Sequence, residues 1–158
     1  RGDKVKNKQY QTAGVDYFER AMEYIRAKYN DPGRQVHFLV TSDSMPWVQK
    51  RRHVFGAGDV SLVEHSFDPA DPYDAFDSST TDLAVLMQCD HIILSGGGFG
   101  FWGAFLGAHR RGGEIIVGES QEKTMNSMET WTNIDDSTTK RDDAAPSDDT
   151  GFAAVVDL

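Results

Sequence analysis

Phe18, Ala21, Met22, Ile25 and Tyr29 recur at i, i+3, i+4, i+7 and i+11, a spacing that places all five on one face of a helix. Asp16 and Glu19 have the spacing of a capping box, which predicts Asp16 as the N-cap, and Asp31-Pro32-Gly33 predicts a sharp stop. Short apolar runs at residues 36–40, 60–63, 91–94 and 114–117 predict four buried strands. Between them the pattern predicts a short helix over 45–53 with Pro46 in its first turn, and a loop over the Pro- and Asp-rich residues 67–77. A further helix opens at Thr81-Asp82, with Leu83, Leu86, Met87 and Cys89 on its apolar side, and another covers 101–109. Strands that are apolar at successive positions and alternate with helices imply an α/β protein, a parallel sheet with helices on both faces. In such sheets ligands bind beyond the carboxyl ends of the strands.

Charge divides the chain. The 158 residues carry 16 Lys and Arg against 25 Asp and Glu, a formal charge of −9. Residues 120–158 hold nine acids and three bases, so −6 of that −9 lies there. Residues 1–119 therefore read as the folded domain. Residues 120–158 read as an acidic, polar, poorly ordered tail with a short strand over 152–156. The acidic balance argues against nucleic acid as a partner. No apolar run approaches the roughly 20 residues of a membrane span. Cys89 is the one cysteine, which excludes a Cys-based zinc site, and the five histidines have no metal-ligand spacing.

The most informative segment is Ile92-Ile93-Leu94-Ser95-Gly96-Gly97-Gly98-Phe99-Gly100-Phe101-Trp102-Gly103. A strand that breaks into glycines and then starts a helix presents backbone N–H groups at the positive end of the helix dipole, a phosphate cradle in physical terms. Gly98, Gly100 and Gly103 also satisfy G-x-G-x-x-G, with Glu119 placed 21 residues on where a dinucleotide fold carries its ribose-binding acid. A third reading gives the glycines only the task of letting helix and strand approach closely. Asp43, where a strand runs into Thr41-Ser42-Asp43-Ser44, is either a site residue or an N-cap or turn acid. Trp47, Phe101 and Trp102 read as core, and His91 as structural.

The run Asp82-Leu83-Ala84-Val85-Leu86-Met87-Gln88-Cys89-Asp90-His91, the strand after it, and Ser95-Gly96-Gly97-Gly98-Phe99-Gly100-Phe101-Trp102-Gly103-Ala104-Phe105-Leu106 resemble glycosyltransferase family 11, the galactoside α-1,2-fucosyltransferases. Arg1-Gly2-Asp3 resembles the tail of that family's His-x-Arg-Arg-Gly-Asp motif. Val40-Thr41-Ser42-Asp43-Ser44-Met45-Pro46-Trp47 resembles its Ser-Asp-x-Met-x-Trp-like segment. The resemblance implies the C-terminal, Rossmann-like half of a GT-B enzyme that inverts configuration, takes GDP-fucose as donor and needs neither metal nor cofactor. It implies a galactose-terminated glycan as acceptor, contacted by a missing N-terminal half. It also implies a Golgi membrane location, with any anchor upstream of Arg1.

The same resemblance assigns donor-site residues. Arg1 would contact the phosphates, Asp3 would orient it, and Asp82 would bind the guanosine end, although Asp82 also suits a helix cap. Ser95 and the N–H groups of Gly97, Gly98 and Phe99 would hold the β-phosphate. Gly98 departs from the family, which has Ser or Thr there, and loses one hydroxyl contact. No general base is assigned. Two rivals stand beside this reading, an NAD(P)-binding oxidoreductase fragment and a degenerate, non-catalytic binding module.

Overall fold

The computed structural model describes residues 13–65, 70, 71, 73–118, 131–133 and 155–157. Its elements in chain order are α1 (Val15–Tyr29), β1 (Phe38–Thr41), α2 (Met45–Gln49), α3 (Arg52–Phe55), β2 (Val60–Leu62), α4 (Asp74–Gln88), β3 (Ile92–Leu94), α5 (Gly98–Leu106), a 3₁₀ turn (His109–Arg111), β4 (Ile115–Val117), β5 (Trp131–Asn133) and β6 (Val155–Asp157). The strands form one sheet in the order β2-β1-β6-β3-β4-β5, with every neighbouring pair parallel.

Two-sided burial explains why the strands carry no polar alternation. Phe38, Val40, Ile93 and Ile116 face one side and pack with Phe18, Ala21, Met22 and Ile25 of α1, Val48 of α2, and Val54 and Phe55 of α3. Ile92, Leu94, Ile115 and Val117 face the other and pack with Leu86 of α4 and Ala104 of α5. Successive residues thus enter different cores, as period-two geometry requires, and both cores must be apolar. The helical face anticipated from residues 18–25 is the face that is buried.

Four helical stretches differ from the sequence pattern, among them α5, which begins at Gly98 rather than 101 and ends at Leu106 before a separate 3₁₀ turn. Gly14, not Asp16, is the N-cap of α1; Asp16 lies in the first turn, where its charge complements the helix dipole. The stretch over 45–53 is two short helices, α2 and α3, broken at Lys50 and Arg51. Helix α4 begins at Asp74, inside the anticipated loop, so Asp82 stands in mid-helix and caps nothing. The Tyr73 N–H at its head is bound by the Asp71 carboxylate at 2.8 Å.

The sheet does not stop at residue 119. Strand β5 extends it beyond β4, and β6 lies between β1 and β3, where Val155 and Val156 pair with Leu39 and Val40 on one side and Ile92 and Ile93 on the other. Chain order runs outward from β1 to β2 in one direction and from β3 through β4 to β5 in the other, so the reversal falls between β1 and β3.

Two contacts tie the layers. The buried Tyr17 hydroxyl lies 2.9 Å from the Leu94 carbonyl oxygen and 3.0 Å from that of Ile116, so its one proton is shared between the ends of β3 and β4. Burial pushes this phenol well above its ordinary pKa, and it remains a donor. On the other face α5 meets α4 closely: a Cβ at Gly103 would stand 2.6 Å from the Leu86 Cβ, and one at Gly107 2.8 Å from the Leu86 carbonyl oxygen. The opposite, N-terminal edge of the sheet is closed by side chains. Arg26 donates to Asp59 at 2.6 and 3.1 Å, Lys28 pairs with the buried Glu114, and the Glu114 N–H donates to His91 Nδ1 at 3.0 Å. His91 is structural, as anticipated, and its ring also lies 4.0 Å from that of Tyr29. Burial pushes the Cys89 thiol up to about 12, where it donates to the Val85 carbonyl as a neutral, inert group.

The Leu86–Gly103 contact generates a stability prediction. Gly103→Ala should destabilise the fold by about 1–3 kcal/mol through overpacking, despite the roughly 1 kcal/mol that alanine gains in a helix. Leu86→Ala should cost about 2–5 kcal/mol. In denaturant unfolding the double variant should lose less than the sum of the two; strictly additive losses would show that this contact does not set the helix spacing.

Candidate functional site

All strands are parallel, so every strand-to-helix turn lies at one edge of the sheet, and by the rule for such sheets the ligand crevice belongs at the reversal between β1 and β3. Thr41 and Leu94 are both in register with Asp157 of β6, which sets the ends of β1 and β3 about 9–10 Å apart, two strand spacings. Across that gap the Thr41-Ser42-Asp43-Ser44 turn faces the Ser95-Gly96-Gly97 turn. The two turns are built differently.

After β1, the Ser44 N–H donates to Ser42 Oγ at 2.9 Å, and Ser44 is the N-cap position of α2. Its carbonyl accepts from the Trp47 N–H at 2.8 Å. Asp43 is therefore exposed in the turn and is not the cap. Trp47, read as core, leans on Phe55 and lies under the Arg51 guanidinium, 3.7 Å from it, so it packs against the core while only partly buried.

After β3, the chain reverses through Gly96 and Gly97, with φ of 123° and 96°, a region that side chains rarely tolerate. Gly97 is the N-cap, and its carbonyl accepts from the Phe101 N–H at 3.3 Å, the first bond of α5. The N–H vectors of the first turn, at 98–100, point out of the helix end toward the crevice. Gly98 is the first residue of α5, and a Cβ there would meet nothing within 4 Å. This geometry counts against the dinucleotide fingerprint, whose first glycine makes the tight turn: here Gly96 and Gly97 make it, while Gly98 and Gly100 are helical and Gly103 packs on Leu86. Glu119 lies outside the described residues. Trp102 is 55% exposed on α5 and is not core.

Asp82 reaches the same edge from α4. Helices α4 and α5 each lead into a strand of one parallel sheet, so they run in the same direction, and Leu86 sits over Gly103. Counting back one turn, about 6 Å, on each helix brings Asp82 level with Phe99 at the start of α5. Its carboxylate is mostly buried and lies 2.7 Å, Oδ1 to Nε2, from His65 in the segment that follows β2. His65 carried no signal in the sequence beyond its place just after a strand, and Tyr17, which supports the glycine turn from below through the Leu94 carbonyl, read there only as part of the helix. The structure thus brings Asp43, Asp82, Ser95, Gly97, Gly98 and Phe99 to one edge. Arg1 and Asp3 lie outside the described residues.

Comparison with known proteins agrees with the motif-level resemblance. The model of the family described as glycosyl transferase family 11 matches residues 1–134. The chain is similar to galactoside 2-alpha-L-fucosyltransferase Sec1 of Mus musculus, 36% identical over 90 residues, which are 57% of this chain and 21% of that protein. It is similar to galactoside alpha-(1,2)-fucosyltransferase 1 of Sus scrofa, 35% identical over 100 residues, 63% of this chain and 23% of that one. It is also 33% identical over 100 residues to galactoside alpha-(1,2)-fucosyltransferase 2 of Rattus norvegicus, again 63% of this chain and 23% of the relative. The chain thus spans less than a quarter of the length of these curated relatives. No solved structure matches it. With a family model covering most of its length, and with the glycine turn and Asp82 at one edge of a parallel sheet, this chain belongs to glycosyltransferase family 11.

Proposed function

We propose that the chain is the donor-binding portion of a galactoside α-1,2-fucosyltransferase, a Rossmann-like half of a GT-B enzyme that holds GDP-fucose at the crevice between β1 and β3. The observation that carries this reading is the glycine turn at the topological reversal, with Asp82 level with its first helical turn. The diphosphate would rest on Ser95 and the N–H groups of Gly97, Gly98 and Phe99. Arg1, oriented by Asp3, would supply the guanidinium, and Asp82 would take the guanosine end. In the transfer, the bond from fucose C1 to the β-phosphate oxygen breaks and one from C1 to the 2-hydroxyl oxygen of a terminal galactose forms, with inversion. GDP leaves with the bonding pair and the hydroxyl proton is released. Fixed N–H groups and a guanidinium meet the charge that grows on the leaving diphosphate, so the step needs no metal. Asp43 lines the facing turn.

The acceptor glycan would be held by residues outside these 158, and the resemblance points to the Golgi lumen as the site of action. Among the described residues no helix is long and apolar enough to cross a membrane. One observation favours the second reading, a degenerate binding module: Gly98 offers no hydroxyl where the family has one. The family membership and the helical Gly98 leave the oxidoreductase reading without support.

GDP at a hundred times its Kd should stabilise the chain by about 2.7 kcal/mol, read as a thermal shift. NADH should give no shift, and Asp82→Ala should remove most of the GDP shift; a shift with NADH alone contradicts the reading. Transfer of labelled fucose from GDP-fucose to a terminal β-galactoside by the full-length protein is the catalytic counterpart. Because the space at Gly98 is open, Gly98→Ser should fold normally and tighten GDP by about fivefold, the value of one added hydrogen bond of about 1 kcal/mol. Unchanged or weaker binding in that variant would show that position 98 does not face the diphosphate.

A further inference from the structure

Asp82 is an unusual residue for its place. It stands inside α4, where aspartate is a poor helix former, and it does not cap the helix. Its side chain is 17% exposed, so a charged carboxylate is held largely out of water. The side chain that meets it is His65, itself 27% exposed. An ionised carboxylate can only accept, so His65 Nε2 carries the proton in this 2.7 Å bond.

The segment that carries His65 is itself fixed. The Val63 N–H continues the β1–β2 ladder by donating to the Val40 carbonyl at 2.8 Å, and Glu64 accepts from Gln49 Nε2 at 3.0 Å. His65 thus approaches Asp82 from the β2 side, while Leu86 on Gly103 ties α4 to α5 from the other. A carboxylate offers about four lone-pair sites, and the bond to His65 uses one of them, on Oδ1.

We propose that His65 is a positioning residue of the donor site, one that orients the Asp82 carboxylate toward a nucleobase presenting adjacent N–H donors, as guanine does and uracil and adenine in the same pose do not. The inference rests on the donor-site reading above and adds the element that selects the base. His65 acts through Asp82 and leaves the diphosphate contacts untouched.

Calorimetric titration of the full chain with GDP, ADP and inorganic pyrophosphate tests this. His65→Ala should weaken GDP by about tenfold, the scale of a hydrogen bond to a charged group, and leave pyrophosphate unchanged. His65→Gln, which keeps an N–H donor, should recover most of the GDP affinity. In the unsubstituted chain the ring ¹⁵N resonances of His65 should move on adding GDP and stay in place on adding pyrophosphate, a readout independent of any variant's folding. Equal losses for GDP and pyrophosphate in His65→Ala, or GDP affinity unchanged there while the unsubstituted chain prefers GDP over ADP, overturn the role of His65 alone. Absence of any GDP binding to the unsubstituted chain overturns the donor-site reading and this inference together.

Discussion

The closeness of α4 and α5 is the constraint on which the rest of the site depends. Leu86 occupies the space that a Cβ at Gly103 would need, and Gly107 repeats the approach against the Leu86 backbone. Two helices that pack this tightly cannot slide independently, so the start of α5 is held at one height relative to Asp82. The same packing buries Leu86 and Ala104 against Ile92, Leu94, Ile115 and Val117, which makes it part of the core as well as a ruler for the site. On the far face, Tyr17 fixes the ends of β3 and β4 by a shared hydroxyl. The glycine turn is thus supported from below by α1 and from the side by α4, and its φ values are imposed by a frame rather than left to a loop.

The distribution of satisfied charge separates the two edges of the sheet. At the N-terminal edge Arg26, Lys28, Asp59, Glu114 and His91 are bonded to one another or to backbone, and the Asp59 carboxyl is held below its ordinary range first by its hydrogen bond to Arg26. Those groups lock helices to strands. At the C-terminal edge short polar side chains and a helix end face the crevice, and the largely buried Asp82 is held by a histidine from a neighbouring segment. An anionic ligand has a positive helix end to approach there.

Much of the fold was legible because it follows from burial. Runs that are apolar at every position meant strands covered on both sides, and residues 18–25 meant one helical face, since few other arrangements take those side chains out of water. Helix starts were less legible: Gly14 displaced Asp16 as a cap, and α4 grew back to Asp74 through residues whose composition reads as loop. Local propensity is worth tenths of a kcal/mol per residue and yields to packing. Strand β6 was visible as a short apolar run, but nothing in Val155 and Val156 says that they lie between β1 and β3, because strand order is a long-range property. The glycine turn between β3 and α5 was readable from residue types alone. The pairing of Asp82 with His65 was not, since the two are 17 residues apart in sequence and meet only after α4 packs.

On the proposed function, guanosine diphosphate is received between β1 and β3 through the N–H groups at the start of α5 and the Asp82 carboxylate. Amide hydrogen exchange with and without GDP reads both contacts at once. Exchange should slow in the 95–100 turn and in the part of α4 around Asp82, with residues 26–28 and 112–114 at the opposite edge unchanged. Unaltered exchange at 95–100 in the presence of saturating GDP, or protection centred on the Glu114 edge, would contradict this placement of the donor.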